Sequence, residues 1–152
     1  QGTGMLFNMD GEVVGMISSS VWNDTGKNVV NAYGISDLKP IIELLINGKS
    51  VPYIGIYGTT VTEQLAEEHK MPSGIYVADV DPDSPAMAAG IQIGDIICEA
   101  SGEEIKDIAA YQNIVIGSSV GETMEFVGKR LGSDGYVNIK FSVVTTEKEE
   151  VK

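Results

Sequence analysis

The sequence predicts an α+β, β-rich chain in two parts, and three observations carry that reading. Two apolar runs flank an Asp-Gly turn near the N-terminus, short strand-like runs recur further on between Gly, Pro, Asn and Asp clusters, and helix-capping signals fall between them. The segment Asn47-Gly48-Lys49-Ser50-Val51-Pro52 reads as a linker, being short, polar and closed by a proline that disfavours helix in the residue before it. The boundaries expected are residues 1–48 for a first part, 49–145 for a second and 146–152 for a charged, flexible tail.

In the first part Leu6-Phe7-Asn8 and Val13-Val14-Gly15-Met16-Ile17 form a hairpin around Met9-Asp10-Gly11-Glu12, and Val29 to Ile35 follows the turn-rich stretch Trp22 to Asn28 as a third strand. Three strands are too few to enclose a core. A helix follows, with Ser36 or Asp37 as its cap, Pro40 in its first turn and Gly48 as the left-handed stop; Leu38, Ile41, Ile42 and Leu45 share one face.

In the second part Tyr53-Ile54-Gly55-Ile56-Tyr57 is β-rich, and Thr60-Val61-Thr62-Glu63 has the spacing of a capping box that would open a helix to about His69. Ile75 to Val80 is a strand. Ser84 then caps a short helix with Pro85 at its first position and Gly90 at its end. Ile96 to Ala100 is the next strand, Asp107 caps a helix to about Ile116, and a hairpin of Thr123 to Arg130 and Tyr136 to Val144 closes the fold around Gly132-Ser133-Asp134-Gly135. From Thr145 on the chain is charged and expected to fray.

Composition excludes several functions. A formal charge of −12 opposes any polyanion, so nucleic acid and direct contact with an anionic membrane are set aside. The longest apolar run, Ile41 to Ile46, is broken by Glu43, and no spanning helix or signal peptide is expected. Cys98 reads as a small apolar strand residue with no internal partner, and His69 as a solvated residue at a helix end. A lone His and unspaced carboxylates offer no metal constellation, so neither cofactor nor metal is expected.

Ser84-Pro85-Ala86-Met87-Ala88-Ala89-Gly90-Ile91-Gln92-Ile93-Gly94-Asp95-Ile96-Ile97 closely resembles the Ser-Pro-Ala-x-x-Ala-Gly-Leu-x-x-Gly-Asp-x-Ile segment of bacterial PDZ domains. The run from Asn47 to Ile56 resembles the linker and first PDZ strand of HtrA-type serine proteases, Gly4 to Met16 the segment that follows their nucleophile, and Ala32-Tyr33-Gly34-Ile35-Ser36 the strand before their last protease helix. The resemblance implies a PDZ-like, partly open β-barrel with two to three helices, preceded by a three-stranded meander and a helix left over from a trypsin-like barrel. Aligned through Leu6, the nucleophile's place falls on Gly2, which has no side chain to attack a carbonyl, and the only His is His69 in the second part. No catalysis is expected of this segment. The resemblance leaves two accounts of a longer protein: a degenerate protease that keeps only binding, or a competent serine endopeptidase of envelope protein quality control.

The binding site the resemblance implies is the loop Tyr53-Ile54-Gly55-Ile56. Its successive N–H groups, bent together at Gly55, would form a nest for a terminal carboxylate, and the last side chain of the peptide would pack on Ile54 and Ile56. The helix Asp107 to Ile116 is the other wall: Ile108, Tyr111 and Val115 share one stripe, Gln112 and Ile116 the next, and Gln112 and Val115 are expected near the ligand with Tyr111 partly buried. The partners expected are C-terminal peptides of other proteins, bound by strand addition, and a second copy of the chain through residues 5–35. The location expected from the resemblance is extracytoplasmic, in the cell envelope, with any anchor upstream.

Overall fold

The computed structural model describes residues 3–17 and 32–147. Gly2, the residues from Trp22 to Asn28 and the start of the third strand lie outside the described residues. The chain divides into two compact units, Gln1–Lys49 and Ser50–Lys152, taken separately below.

In the first unit β1 (Gly4–Phe7) and β2 (Val13–Ile17) pair antiparallel, and β3 (Tyr33–Gly34) pairs with β2. The connection is held by Asn8, whose Oδ1 accepts the N–H groups of Asp10 (3.0 Å) and Glu12 (2.9 Å), while Gly11 takes a φ of 80° that suits glycine. Helix α1 (Ile35–Ile46) starts earlier than expected. Its N-cap is Gly34, with no side-chain cap bond, so neither Ser36 nor Asp37 caps it. Pro40 consequently sits one turn deeper than the first, where the N–H it lacks would have closed a bond to Ser36. At the other end Gly48 is left-handed as expected, its N–H bonded to the Leu45 carbonyl. None of the helix residues is buried.

The second unit is built on an open sheet with strand order β10-β9-β7-β6-β5: Gly135–Val144, Thr123–Gly132, Ile96–Ala100, Gly74–Val80 and Ile56–Val61. All neighbours are antiparallel, β5 is an edge, and a bulge falls between Tyr57 and Gly58. A small strand, β8 (Glu103–Glu104), pairs with β7. Three helices accompany the sheet among the described residues: α2 (Glu63–His69), α3 (Pro85–Ala88) and α4 (Ile108–Gly117). The core gathers Ile54, Ile75, Val77, Ile97, Ile105 and Phe126 with alternate residues of the strands, each of the larger ones contributing ~1.5–3 kcal/mol of burial.

Two local expectations fail here for physical reasons. The capping box at Thr60 is not used: Thr62 caps α2, its Oγ1 accepting the Leu65 N–H at 3.3 Å, because Thr60 is still in β5. The tail does not simply fray either. Thr145 is buried and bonded to Ser119 and Glu122, and β11 (Thr146–Glu147) pairs with β4 (Pro52–Tyr53), while the Ser50 hydroxyl bonds Glu147 at 2.7 Å. Charge composition reports solvent exposure of side chains; it is blind to a backbone ladder.

Candidate functional site

The loop from β4 into β5 is positioned by the segment after β6. The Ile54 carbonyl accepts the N–H of Ala86 and the Gly55 carbonyl accepts that of Asp81, both at 2.9 Å. A trans peptide is planar and sets its N–H opposite its C=O, so the N–H groups of Gly55 and Ile56 are turned away from residues 81–86. Gly55 makes this bend possible with a φ of 85°. A Cβ there would lie 2.3 Å from the Ser84 Cβ, 2.6 Å from the Ser84 Oγ and 2.9 Å from the Tyr53 hydroxyl. Ser84 is itself buried and caps α3 by accepting the Met87 N–H.

Helix α4 stands beside β5 and is fastened to it by a bond that sequence spacing did not suggest. The Ile108 N–H donates to the Thr60 Oγ1 at 3.0 Å, and Asp107 caps the Ala110 N–H at 2.7 Å. Along α4 the stripe Ile108, Tyr111 and Val115 faces the core, with Tyr111 and Val115 only 5% and 7% exposed. Tyr111 is therefore fully rather than partly buried, and burial holds its phenol well above the ordinary tyrosine range. Gln112 is exposed and Ile116 half-buried, one position round. Ile54 and Ile56 belong with Val115 to the same buried core cluster, while Gly55 is buried, Tyr53 half-buried and Gln112 exposed.

An open cleft of about 870 Å³ shares Tyr53 with this loop and is lined further by Asp81, Asp83, Ser84, Val144 and Glu147. It contains no residue of β5 or α4. A groove for strand addition needs an unpaired strand edge, and among the described residues β5 supplies one beside α4. Around the loop the Tyr53 and Tyr57 hydroxyls both donate to Asp81 Oδ2, at 2.5 and 2.8 Å. Burial first, and then the Asp81 carboxylate, push the Tyr53 phenol up.

Outside the loop, one pairing emerges only in three dimensions, that of Asp95 with Arg130. Asp95, fully buried, accepts Arg130 Nε at 2.6 Å, Arg130 Nη2 at 2.8 Å and the Gln92 N–H at 2.9 Å, tying the Gly94-Asp95 turn to β9. Cys98 is half-buried in β7, and burial raises its thiol despite the opposing pull of Lys129, which suits an unreactive strand residue.

An antiparallel sheet whose edge strand β5 begins at a glycine-bent loop, with a helix laid beside that strand, defines a PDZ-type domain. Residues 76–130 match the PDZ domain family model. The crystal structure of the HtrA3 PDZ domain bound to a phage-derived ligand, FGRWV, is 33% identical with a TM-score of 0.52, covering 62% of this chain and 84% of that one. A probable periplasmic serine endoprotease, DegP-like, of Halomonas elongata is 31% identical over 142 residues, or 90% of this chain and 30% of the relative. The HtrA-type protease AlgW with decapeptide shares the fold across 93% of this chain and 44% of its own, at a TM-score of 0.60 and 20% identity. The chain belongs to the HtrA-type family and carries its PDZ domain. It spans about a third of the length of the curated relatives it matches.

Proposed function

We propose that the second unit captures the free C-terminal carboxylate of extended or misfolded polypeptides by strand addition along β5, opposite α4. The carrying observation is the loop Tyr53-Ile54-Gly55-Ile56: its two inward carbonyls are already taken, so the Gly55 and Ile56 N–H groups face away from α3 at the end of an unpaired strand edge. A carboxylate accepting such bonds is favoured over an amide by charge. The last side chain of the peptide would pack over Ile54, Ile56 and Val115, whose apolar floor favours Val, Ile or Leu, with Gln112 at the rim.

Fluorescence polarisation with FGRWV as free acid and as C-terminal amide tests this. The free acid is expected to bind about tenfold or more tightly, the difference one or two charge-assisted hydrogen bonds make; equal affinities would remove the loop from the site.

In the longer protein this unit would present or sense unfolded chains, in the cell envelope as the periplasmic relatives suggest, beside a protease domain that is either competent or, if Gly2 occupies the nucleophile's place, degenerate. The first unit would add a self-association surface through residues 5–35. Met5 and Phe7 on the three-stranded sheet are 63% and 59% exposed, and Met9 in the turn that follows β1 is 102% exposed. Sedimentation velocity should give a concentration-dependent mass that becomes monomeric once residues 1–35 are deleted, whereas a monomer before and after deletion would overturn this part of the reading.

A further inference from the structure

Asp81 reaches the loop at three alternate positions. Its backbone N–H donates to the Gly55 carbonyl at 2.9 Å, and its Oδ2 accepts the hydroxyls of Tyr53 and Tyr57 at 2.5 and 2.8 Å. The two tyrosines bracket the bend two residues to either side of Gly55. The Tyr53 hydroxyl also lies 2.9 Å from where a Gly55 Cβ would be, so it closes one wall of the cage around that glycine. Asp81 is fixed in turn: it follows β6 directly and opens the turn into α3, with the Ser84 N–H bonded to its carbonyl at 3.3 Å. One carboxylate thus gathers the two ends of a bend whose middle is held by the same residue's backbone.

We infer that Asp81 is the positioning residue of the carboxylate loop, its side chain locking Tyr53 and Tyr57 so that the Gly55 and Ile56 N–H groups are aimed before a peptide arrives. The inference rests on the proposed capture of a carboxylate by this loop. Its physical content is preorganisation: donors fixed in advance cost no ordering at the moment of binding, and that benefit falls on the carboxylate end of the ligand alone. Asp81 carries a negative charge near the proposed anion site, so direct repulsion predicts the opposite sign, and the two effects are separable.

The quantity to measure is the ratio of affinities for FGRWV as free acid and as amide, in the full chain and in Asp81→Ala, Asp81→Asn and the double variant Tyr53→Phe with Tyr57→Phe. A merely structural aspartate would change the denaturation midpoint and leave this ratio alone. Positioning predicts a ratio about tenfold lower in Asp81→Ala, the scale of one charge-assisted hydrogen bond, a smaller loss in Asp81→Asn, which keeps an acceptor for the hydroxyls, and a loss like that of Asp81→Ala in the double phenylalanine variant. The phenylalanine variant decides the matter should Asp81→Ala fail to fold. A ratio within twofold of the unmodified chain in the folded variants overturns the role of Asp81, as does a rise in free-acid affinity, which would mean its charge acts by repulsion. A ratio of one in the unmodified chain defeats the capture reading instead, so the two failures are distinct.

Discussion

Gly55→Ala is expected to lower the stability of the second unit by about 3 kcal/mol and to abolish the preference for a free carboxylate. Two costs combine. A left-handed φ of 85° strains any residue with a Cβ by ~1–2 kcal/mol, and the new methyl would overlap Ser84 and the Tyr53 hydroxyl at 2.3 to 2.9 Å, an overpacking of ~1–3 kcal/mol. Neither neighbour can yield cheaply, since Ser84 caps α3 and Tyr53 is bonded to Asp81. Gly90→Ala supplies the internal comparison: its φ is 88°, yet nothing lies within 4 Å of its Cβ position, so it should show the backbone strain alone. Urea unfolding of the two variants, read as midpoints at constant m, separates strain from overlap. Equal losses would mean that the loop opens away from Ser84 without resistance, and the cage around Gly55 would have no energetic meaning.

What was legible in the sequence is what depends on neighbours a few residues apart. Ser84, Pro85 and Gly90 delimit α3 as their spacing indicates, because an N-cap, a first-turn proline and a left-handed stop each act within one turn. The same local logic misreads Thr60. Two threonines lie at usable distances from the start of α2, and Thr60 is withdrawn from it by a partner 48 residues away, the N–H of Ile108. Spacing along α4 separated its stripes but could not assign them, since either could face inward; the positions of Ile54, Ile56 and Phe126 decide that Tyr111 and Val115 do. At α1 the strand β3 runs straight into the helix at Gly34, so polar cap candidates two and three residues later came too late. The Tyr53, Tyr57 and Asp81 triangle joins residues up to 28 apart and had no local signature.

Arg130→Ala should be the most damaging change away from the loop, lowering stability by about 3–5 kcal/mol, because it strands a buried carboxylate. Asp95 is fully buried and its two oxygens take a guanidinium fork plus the Gln92 N–H; the fork's Nη2 also donates to the Gly90 carbonyl at 3.0 Å, and the Arg130 Cζ lies 5.8 Å from the Phe141 ring centre. The hydrogen bond to the Asp95 carboxylate raises the Arg130 pKa above its ordinary range. Arg130→Lys should recover only part of the loss, since an ammonium cannot reproduce two parallel bonds and a third to Gly90. Asp95→Ala should cost less than Arg130→Ala. The arginine left behind is one-third exposed and can turn to water, whereas the carboxylate cannot. A double-mutant cycle on the denaturation midpoints measures the coupling, which added salt should weaken only slightly because one partner is wholly buried. Losses below about 1 kcal/mol in Arg130→Ala would reduce the pair to an ordinary surface ion pair and leave the turn at Gly94 and Asp95 to be held by its backbone alone.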